Sequence, residues 1–303
     1  MDGVIALYKE RGMTSHDCIS RLRKILHTKK IGHTGTLDPN VDGVLPICIG
    51  QATKISELLM GSGKVYRGSI TLGMAYDTED LDGHLIATKA IERPLSSDQI
   101  DGLLQKLTGH IMQVPPMYSA VKVNGHKLYE YARRGEVIHR EPRPIFIQSF
   151  KQTKVSSFDE KKQTQTIFFE VACSKGTYVR TLAVDFGKLI NTPSVMSSLT
   201  RIKSGGFDIS QCVTLEQVDK ASGSDTLSDI IEPLSTALSD YPAYQLDDSR
   251  WKIISNGGFL DQSILPDREP IVRLVYQGET KALYQFDEPK KVYRPFKMFL
   301  KNN

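Results

Sequence analysis

One run constrains the fold more than any other. VYRGSITLG (65–73) alternates without a break: Tyr66, Gly68, Ile70 and Leu72 stand against Arg67, Ser69 and Thr71. A period of two sends successive side chains to opposite faces, so the run predicts a half-buried strand. Helical periods flank it. TSHDCISRLRKILH predicts a helix capped at Thr14 or Ser15, with Cys18, Leu22, Ile25 and Leu26 on one face. GQATKISELLM reads as a second helix. SSDQIDGLLQKLTG reads as a third, with Ser96 and Gln99 at capping-box spacing and a stripe of Ile100, Leu103, Leu104 and Leu107. QTIFFEVACSKG is a strand ending in a turn, and TYVRTLAVDFGKLIN follows as a helix closed by Asn191. Strands and helices alternate, yet hairpin signals are mixed in. The expected fold is an α/β chain of the α+β type, built on a mixed, mainly antiparallel sheet rather than a doubly wound parallel one.

The 303 residues suffice for one large domain or two ordinary ones, and 40% of them are hydrophobic. A polar stretch, DKASGSDTLSD (219–229), is a boundary candidate, and a turn-rich stretch, LSDYPAYQLDD, follows it. Beyond it the pattern changes to short strands, PIVRLVYQG and ETKALYQF, joined at Gly278. The division is therefore 1–242 for a main domain and 243–303 for a small β-rich module. No run approaches the ~20 apolar residues of a membrane span, and no leader pattern is visible, so a cytoplasmic protein is expected. Cys18, Cys48, Cys173 and Cys212 have no C-x-x-C spacing and read as reduced thiols.

The net charge is only +4, so the position of the charge matters more than its sum. Segment 115–144 carries Lys122, Lys127, Arg133, Arg134, Arg140 and Arg143 against Glu130, Glu136 and Glu141. Tyr118, Tyr129 and Tyr131 are interleaved, and prolines bracket the segment. Cations that track phosphate and aromatic faces that stack on unpaired bases suit RNA. A solvated loop over packed tyrosines is the plainer reading. The tail PKKVYRPFKMFLKNN adds Lys290, Lys291, Arg294, Lys297 and Lys301 with no acid.

GHTGTLDPNVDGVLPI (32–47) holds one conspicuous acid, Asp38, between Leu37 and Pro39. There is no P-loop lysine, so nucleotide hydrolysis is disfavoured. DTEDLDG (77–83) fails as a calcium loop, because Thr78 and Lys89 would fall at its first and twelfth positions. A glycosidase pair with Asp80 or Asp82 stays open. No Gly-x-Ser-x-Gly elbow is visible. Pro39 restricts Asp38 towards extended backbone, and Gly35 and Gly43 permit shapes closed to other residues. A carboxylate so poised is either a nucleophile held by a cation or an Asx-turn cap.

GHTGTLDPNVDGVLPICIGQATK resembles the catalytic motif of the TruB family of pseudouridine synthases. The resemblance continues in order through KVYRGSITLGMAYDTEDLDG, PPMYSAVKVNGHKLYEYAR, CSKGTYVRTLAVDFG and LTRIKSGGF, covering roughly residues 3–210. The 243–303 module, with SNGG and PKKVYRPFKMF, resembles a PUA-type RNA-binding domain more weakly. The resemblance implies isomerisation of uridine 55 in the T-loop of tRNA to pseudouridine, with no cofactor and no metal. It implies that Asp38 is the nucleophile, that Tyr66 stacks on the target base and assists removal of the C5 proton, and that Arg180 pairs with Asp38. It places His33, Tyr178, Leu199 and Lys9 at the substrate. Addition at C1′, addition at C6 and a glycal route all use a carboxylate here.

The roles agree with elementary chemistry. A stacked uridine must be flipped out, and His33 can fill the vacated stack. Tyr66, on an alternating strand, can point inward. Tyr178 has a plainer reading as the first stripe residue of a helix, and Leu199 would pack in any fold. Asp80 is expected in the same polar cluster or in a turn. The chain departs from the family at Glu10, where proline is usual, and at Val41 and Asp42; Asp42 is expected to point outward. An RNA-folding factor with secondary catalysis is the second functional class, since opening the loop would itself help tRNA to refold. A guide-RNA-dependent enzyme of the dyskerin kind carries an extension before its first strand, whereas this chain enters that strand at once. The expected protein is a stand-alone bacterial enzyme, a monomer whose partner is the T-arm of tRNA.

Overall fold

The computed structural model describes residues 1–224, 226–264 and 268–300. Seven strands of the largest sheet run in the order Gly3–Lys9, Asp42–Ile49, Ser194–Ser204, Lys64–Leu72, Thr164–Cys173, Arg143–Asp159 and Gly109–Gln113. Every junction along this path is antiparallel except that between Asp42–Ile49 and Ser194–Ser204, which is parallel and short: Thr200 faces Asp42 and Arg201 faces Gly43. The mixed, mainly antiparallel sheet is therefore present.

Lys64–Leu72 lies centrally, with a neighbour on each side. Its first half alternates as expected, Tyr66 buried and Arg67 exposed. Its second half does not, because Ser69 and Thr71 are buried along with Ile70 and Leu72. The strand is thus covered on both faces there. The polar side chains survive burial by bonding one another: Ser69 Oγ lies 2.6 Å from Ser198 Oγ, and Thr71 donates to Ser197 at 2.9 Å.

The helices begin where local chemistry dictates. Thr14 caps Ser15–Ile25 with Asp17 completing the box, and Ser96 caps Ser97–Lys106 with Gln99. Cys18, Ile19 and Leu22 of the first helix pack with Ile5, Leu7, Leu45 and Ile47. The stretch expected as one helix over GQATKISELLM divides into a 3₁₀ segment, Gly50–Ile55, and a short α-helix, Ser56–Gly61.

The polar stretch that is a boundary candidate, 219–229, is helical as far as Gly223. Helix Leu215–Gly223 begins before it, buries Val218 in the core of the N-terminal strands, and donates from Ser222 Oγ to the Ile25 carbonyl at 3.1 Å. The second sheet, with Ala243–Gln245, Ile271–Tyr276, Glu279–Asp287, Val292–Met298 and Leu260–Asp261 in that order, forms the β-rich module. Its main hairpin turns on Gln277 and Gly278, both at positive φ, which suits the twist of a two-residue loop. The module also contains a helix, Asp248–Ile254, not foreseen in the strand pattern. Leu283 and Phe299 share a cluster with Val4, Ala6 and Val44, so the module rests on the first sheet. Lys54 Nζ donates to the Met298 carbonyl at 2.6 Å across the same junction. Lys301 lies outside the described residues. No helix among the described residues is long and apolar enough to cross a membrane.

Candidate active site

The Asp38 turn is held from below by its neighbours. Leu37 and Val41 are buried in the cluster that contains Tyr66 and Leu199. Ser15 Oγ accepts from Leu37 N at 2.9 Å and donates to the Leu37 carbonyl at 3.2 Å. Lys9 is fully buried and donates to the carbonyls of Pro39 and Glu10, each at 3.0 Å. The resemblance puts Lys9 at the substrate; here its ammonium grips main chain beneath the turn. Burial pushes that ammonium below its usual range. With both shoulders pinned, the Asp38 carboxylate stands 43% exposed.

Arg180 comes to it from helix Val179–Lys188. Its side chain is only 7% exposed, and Nη2 lies 3.1 Å from Asp38 Oδ2. The same Nη2 donates to the Tyr118 carbonyl at 2.9 Å, and Nη1 donates to the Thr78 carbonyl at 2.9 Å. Asp80 Oδ2 lies 3.6 Å from Nη1, while its other oxygen accepts from Thr78 Oγ1 at 2.6 Å and from Asp82 N at 3.1 Å. Burial nevertheless raises the Asp80 carboxyl above its usual range. Asp80 therefore does join the Arg180 cluster.

Tyr66 and Leu199 are both buried in one apolar cluster with Leu37 and Val41, which flank the Asp38 turn. Gly68 makes room for this cluster, because a Cβ there would collide with the Ser198 carbonyl and press the Leu199 side chain at 3.0 Å. Burial raises the Tyr66 phenol, and the Arg201 guanidinium pulls it part-way back. Tyr178 precedes Arg180 as the residue capping the helix. Its backbone is fixed at both ends by buried Gln113, whose amide accepts from Tyr178 N at 2.8 Å and donates to Tyr178 O at 3.0 Å. His33 ends the short strand Ile31–His33, half-buried, its Nδ1 without a partner among the described residues. Burial lowers its pKa, and the Arg201 charge adds to that.

Asp42 does not point outward. It is mostly buried and accepts from Thr200 Oγ1 at 2.6 Å, Tyr8 Oη at 3.0 Å and Arg11 Nε at 3.2 Å. Three donors thus hold the extra carboxylate. Sequence reasoning missed Arg201, Gln113 and Ser15. Arg201 stands inside a motif already singled out, LTRIKSGGF, and a charged residue in a strand pattern is the available signal.

Segment 115–144 is more structured than a polar loop. It contains a two-strand hairpin, Lys122–Val123 with His126–Lys127, and helix Leu128–Arg133. Leu128 and Tyr131 are buried beneath it. Lys127 and Arg133 sit over the Tyr129 ring, at 5.4 and 5.2 Å from its centroid. The tip beyond is exposed, Val137 most of all.

Residues 23–179 match the model of the TruB family pseudouridylate synthase N-terminal domain, and 180–239 match that of the tRNA pseudouridylate synthase B C-terminal domain. The chain belongs to the TruB family. Two relatives named tRNA pseudouridine synthase B are aligned end to end. The one from Levilactobacillus brevis is 56% identical over 303 residues, covering 100% of both chains. The one from Lactiplantibacillus plantarum is 53% identical, again over 100% of both. Pseudouridylate synthesis is an isomerisation of uridine, so this TruB member is an isomerase. Among solved structures, the fold resembles a chain of a Cbf5–Nop10–Gar1 complex, with a TM-score of 0.74 at 24% identity over 98% of this chain and 85% of that one. It also resembles a chain of an H/ACA particle bound to substrate RNA, with a TM-score of 0.72 at 22% identity over 99% and 85%. The TruB motifs straddle the boundary between the two family models, and Arg180 is the first residue of the second.

Proposed function

We propose that this TruB-family enzyme converts uridine 55 in the T-loop of tRNA to pseudouridine, with Asp38 as nucleophile. The observation that carries the reading is the Asp38–Arg180 ion pair, half-open to solvent on a turn whose Leu37 and Val41 pack in one cluster with Tyr66 and Leu199. The carboxylate adds to the flipped uridine and is released again as the N1–C1′ bond breaks, the detached uracil turns and C5 bonds to C1′; C5 loses a proton and N1 gains one, so atoms are conserved. Arg180 holds it in one orientation, since a nucleophile gains most from a fixed geometry of approach. Tyr66 stacks on the uracil and assists loss of the C5 proton. Leu199 closes the floor, and Tyr178, fixed by Gln113, borders it. Asp80 acts through Arg180. His33, whose pKa burial lowers, fills the stack that the base leaves. Lys9 supports the turn from beneath.

The division of labour is 1–242 for chemistry and 243–303, read as a PUA-type domain, for RNA affinity. Segment 115–144 grips the T-arm and closes over it. The protein works in the cytoplasm as a monomer without guide RNA, cofactor or metal, and opening the T-loop also helps tRNA to refold. The test is direct: incubate the protein with an unmodified tRNA transcript and map pseudouridine. Conversion at position 55 is expected. No conversion, or conversion elsewhere only, would sink the reading.

A further inference from the structure

Arg201 is among the largest fully buried side chains in the protein, at 1% exposure. A charge taken from water needs compensation. No carboxylate pairs with it among the described residues. Two of its donors go instead to main chain, Nε to the Val44 carbonyl at 2.7 Å and Nη2 to the Gly35 carbonyl at 3.1 Å, and the guanidinium also reaches the Tyr66 phenol. Those two carbonyls flank Asp38, one before the turn and one after it. A single planar guanidinium therefore bridges both ends of the loop.

Two motif glycines make this approach possible. Gly43 faces Arg201 across the parallel junction, and a Cβ at Gly43 would collide with the Arg201 main chain. Gly35 has φ +109, which L side chains rarely adopt, and it lies over Arg201 and Lys64. On its other side Arg201 is the cross-strand partner of Tyr66. The groups around the Tyr66 phenol are Arg201, Cys173 from the neighbouring strand and Asp38 from the turn.

We propose that Arg201 is a positioning residue, whose guanidinium fork locks both ends of the Asp38 loop to the strand facing Tyr66, so that nucleophile and base-stacking floor move as one rigid unit. This rests on the function proposed above. Lysine can keep the charge but cannot hold two carbonyls in one plane, because it lacks the fork.

The experiment compares full-length Arg201→Lys and Arg201→Met with wild type. Three quantities are read: single-turnover rate on tRNA transcript, tRNA binding, and amide exchange at Val41, whose N–H donates to the Asp38 carbonyl at 3.1 Å. For Arg201→Lys we expect binding within about three-fold of wild type, a rate lower by roughly 10²-fold, the scale of a 1 Å misplacement, and faster exchange at Val41. Arg201→Met should fall further in rate. A wild-type rate in Arg201→Lys would overturn the fork, and equal losses of rate and binding would reduce Arg201 to scaffolding. Failure of both variants to fold would overturn the proposal as well. The exchange reading needs no substrate. If wild type proves inert on tRNA, faster exchange at Val41 still supports the clamp and unchanged exchange sinks it.

Discussion

Arg180 binds Asp38 and the Tyr118 carbonyl through the same guanidinium nitrogen, at 3.1 and 2.9 Å. Tyr118 lies in the basic segment 115–144. The proposed nucleophile and the root of the proposed RNA-gripping segment therefore share one donor. Replacing Arg180 with methionine leaves two carbonyls and the mostly buried Asp80 without their cation. We expect a loss of about 3 kcal/mol of stability, the scale of breaking a buried pair. Thermal unfolding measures it, and an unchanged midpoint would show that solvent replaces the guanidinium freely.

Asp38→Asn should abolish turnover while tRNA binding stays within a few-fold. In the proposed function the carboxylate does the chemistry, whereas bonds to phosphate carry most RNA affinity. Single-turnover assays and filter binding separate the two. Parallel loss of both would mark Asp38 as structural.

The β-rich module cannot be removed cleanly, because Leu283 and Phe299 complete a core with Val4, Ala6 and Val44. Point changes test its role better. Lys290→Ala with Lys291→Ala, both exposed, should weaken tRNA binding. The salt dependence should become shallower, its slope falling by about one for each phosphate that a lysine no longer neutralises. The chemical step at saturating enzyme should not change. A slower step with unaltered binding would contradict the division of labour.

His33 supplies a pH dependence. Its folded-state pKa lies below the ordinary value of 6.5. Below pH 6.5 the unfolded chain takes up a proton that folded His33 resists, so stability present above that pH is lost as pH falls through the folded value. Urea midpoints of wild type and His33→Gln, compared from pH 7 downward, should diverge, with the variant flatter. Parallel curves would show that the imidazole is freely solvated.

Segment 115–144 is expected to close over the T-arm. Its root is tied by Leu128, Tyr131 and the Tyr118–Arg180 bond, but its tip around Val137 is exposed. Amide exchange across 134–142 should slow when tRNA is added. Full protection in the free protein would rule out a closing segment.

Much of this molecule is legible locally. Thr14, Ser96 and Gly278 announce two helix starts and a hairpin, because caps and turns depend on residues a few positions apart. The resemblance of the motif around Asp38 implies an ion pair with Arg180, and the structure brings the two together at 3.1 Å. The alternation of Lys64–Leu72 holds for Tyr66 and Arg67. It fails at Ser69 and Thr71, whose burial depends on Ser197, Ser198 and Thr166 of neighbouring strands. The polar run at 219–229 resembles a linker because polarity alone says nothing about which helix face finds a core.

The sequence by itself determined the main helices and strands before residue 210, the order of the motifs and the acid at the centre of the candidate site. Only the tertiary structure decided that Asp42 is held by Tyr8, Arg11 and Thr200, that Lys9 grips main chain, and that Arg201 bridges Gly35 and Val44. Those facts rest on sheet register between segments far apart in the chain. A buried charge takes whatever partners that register delivers, and no local pattern encodes them.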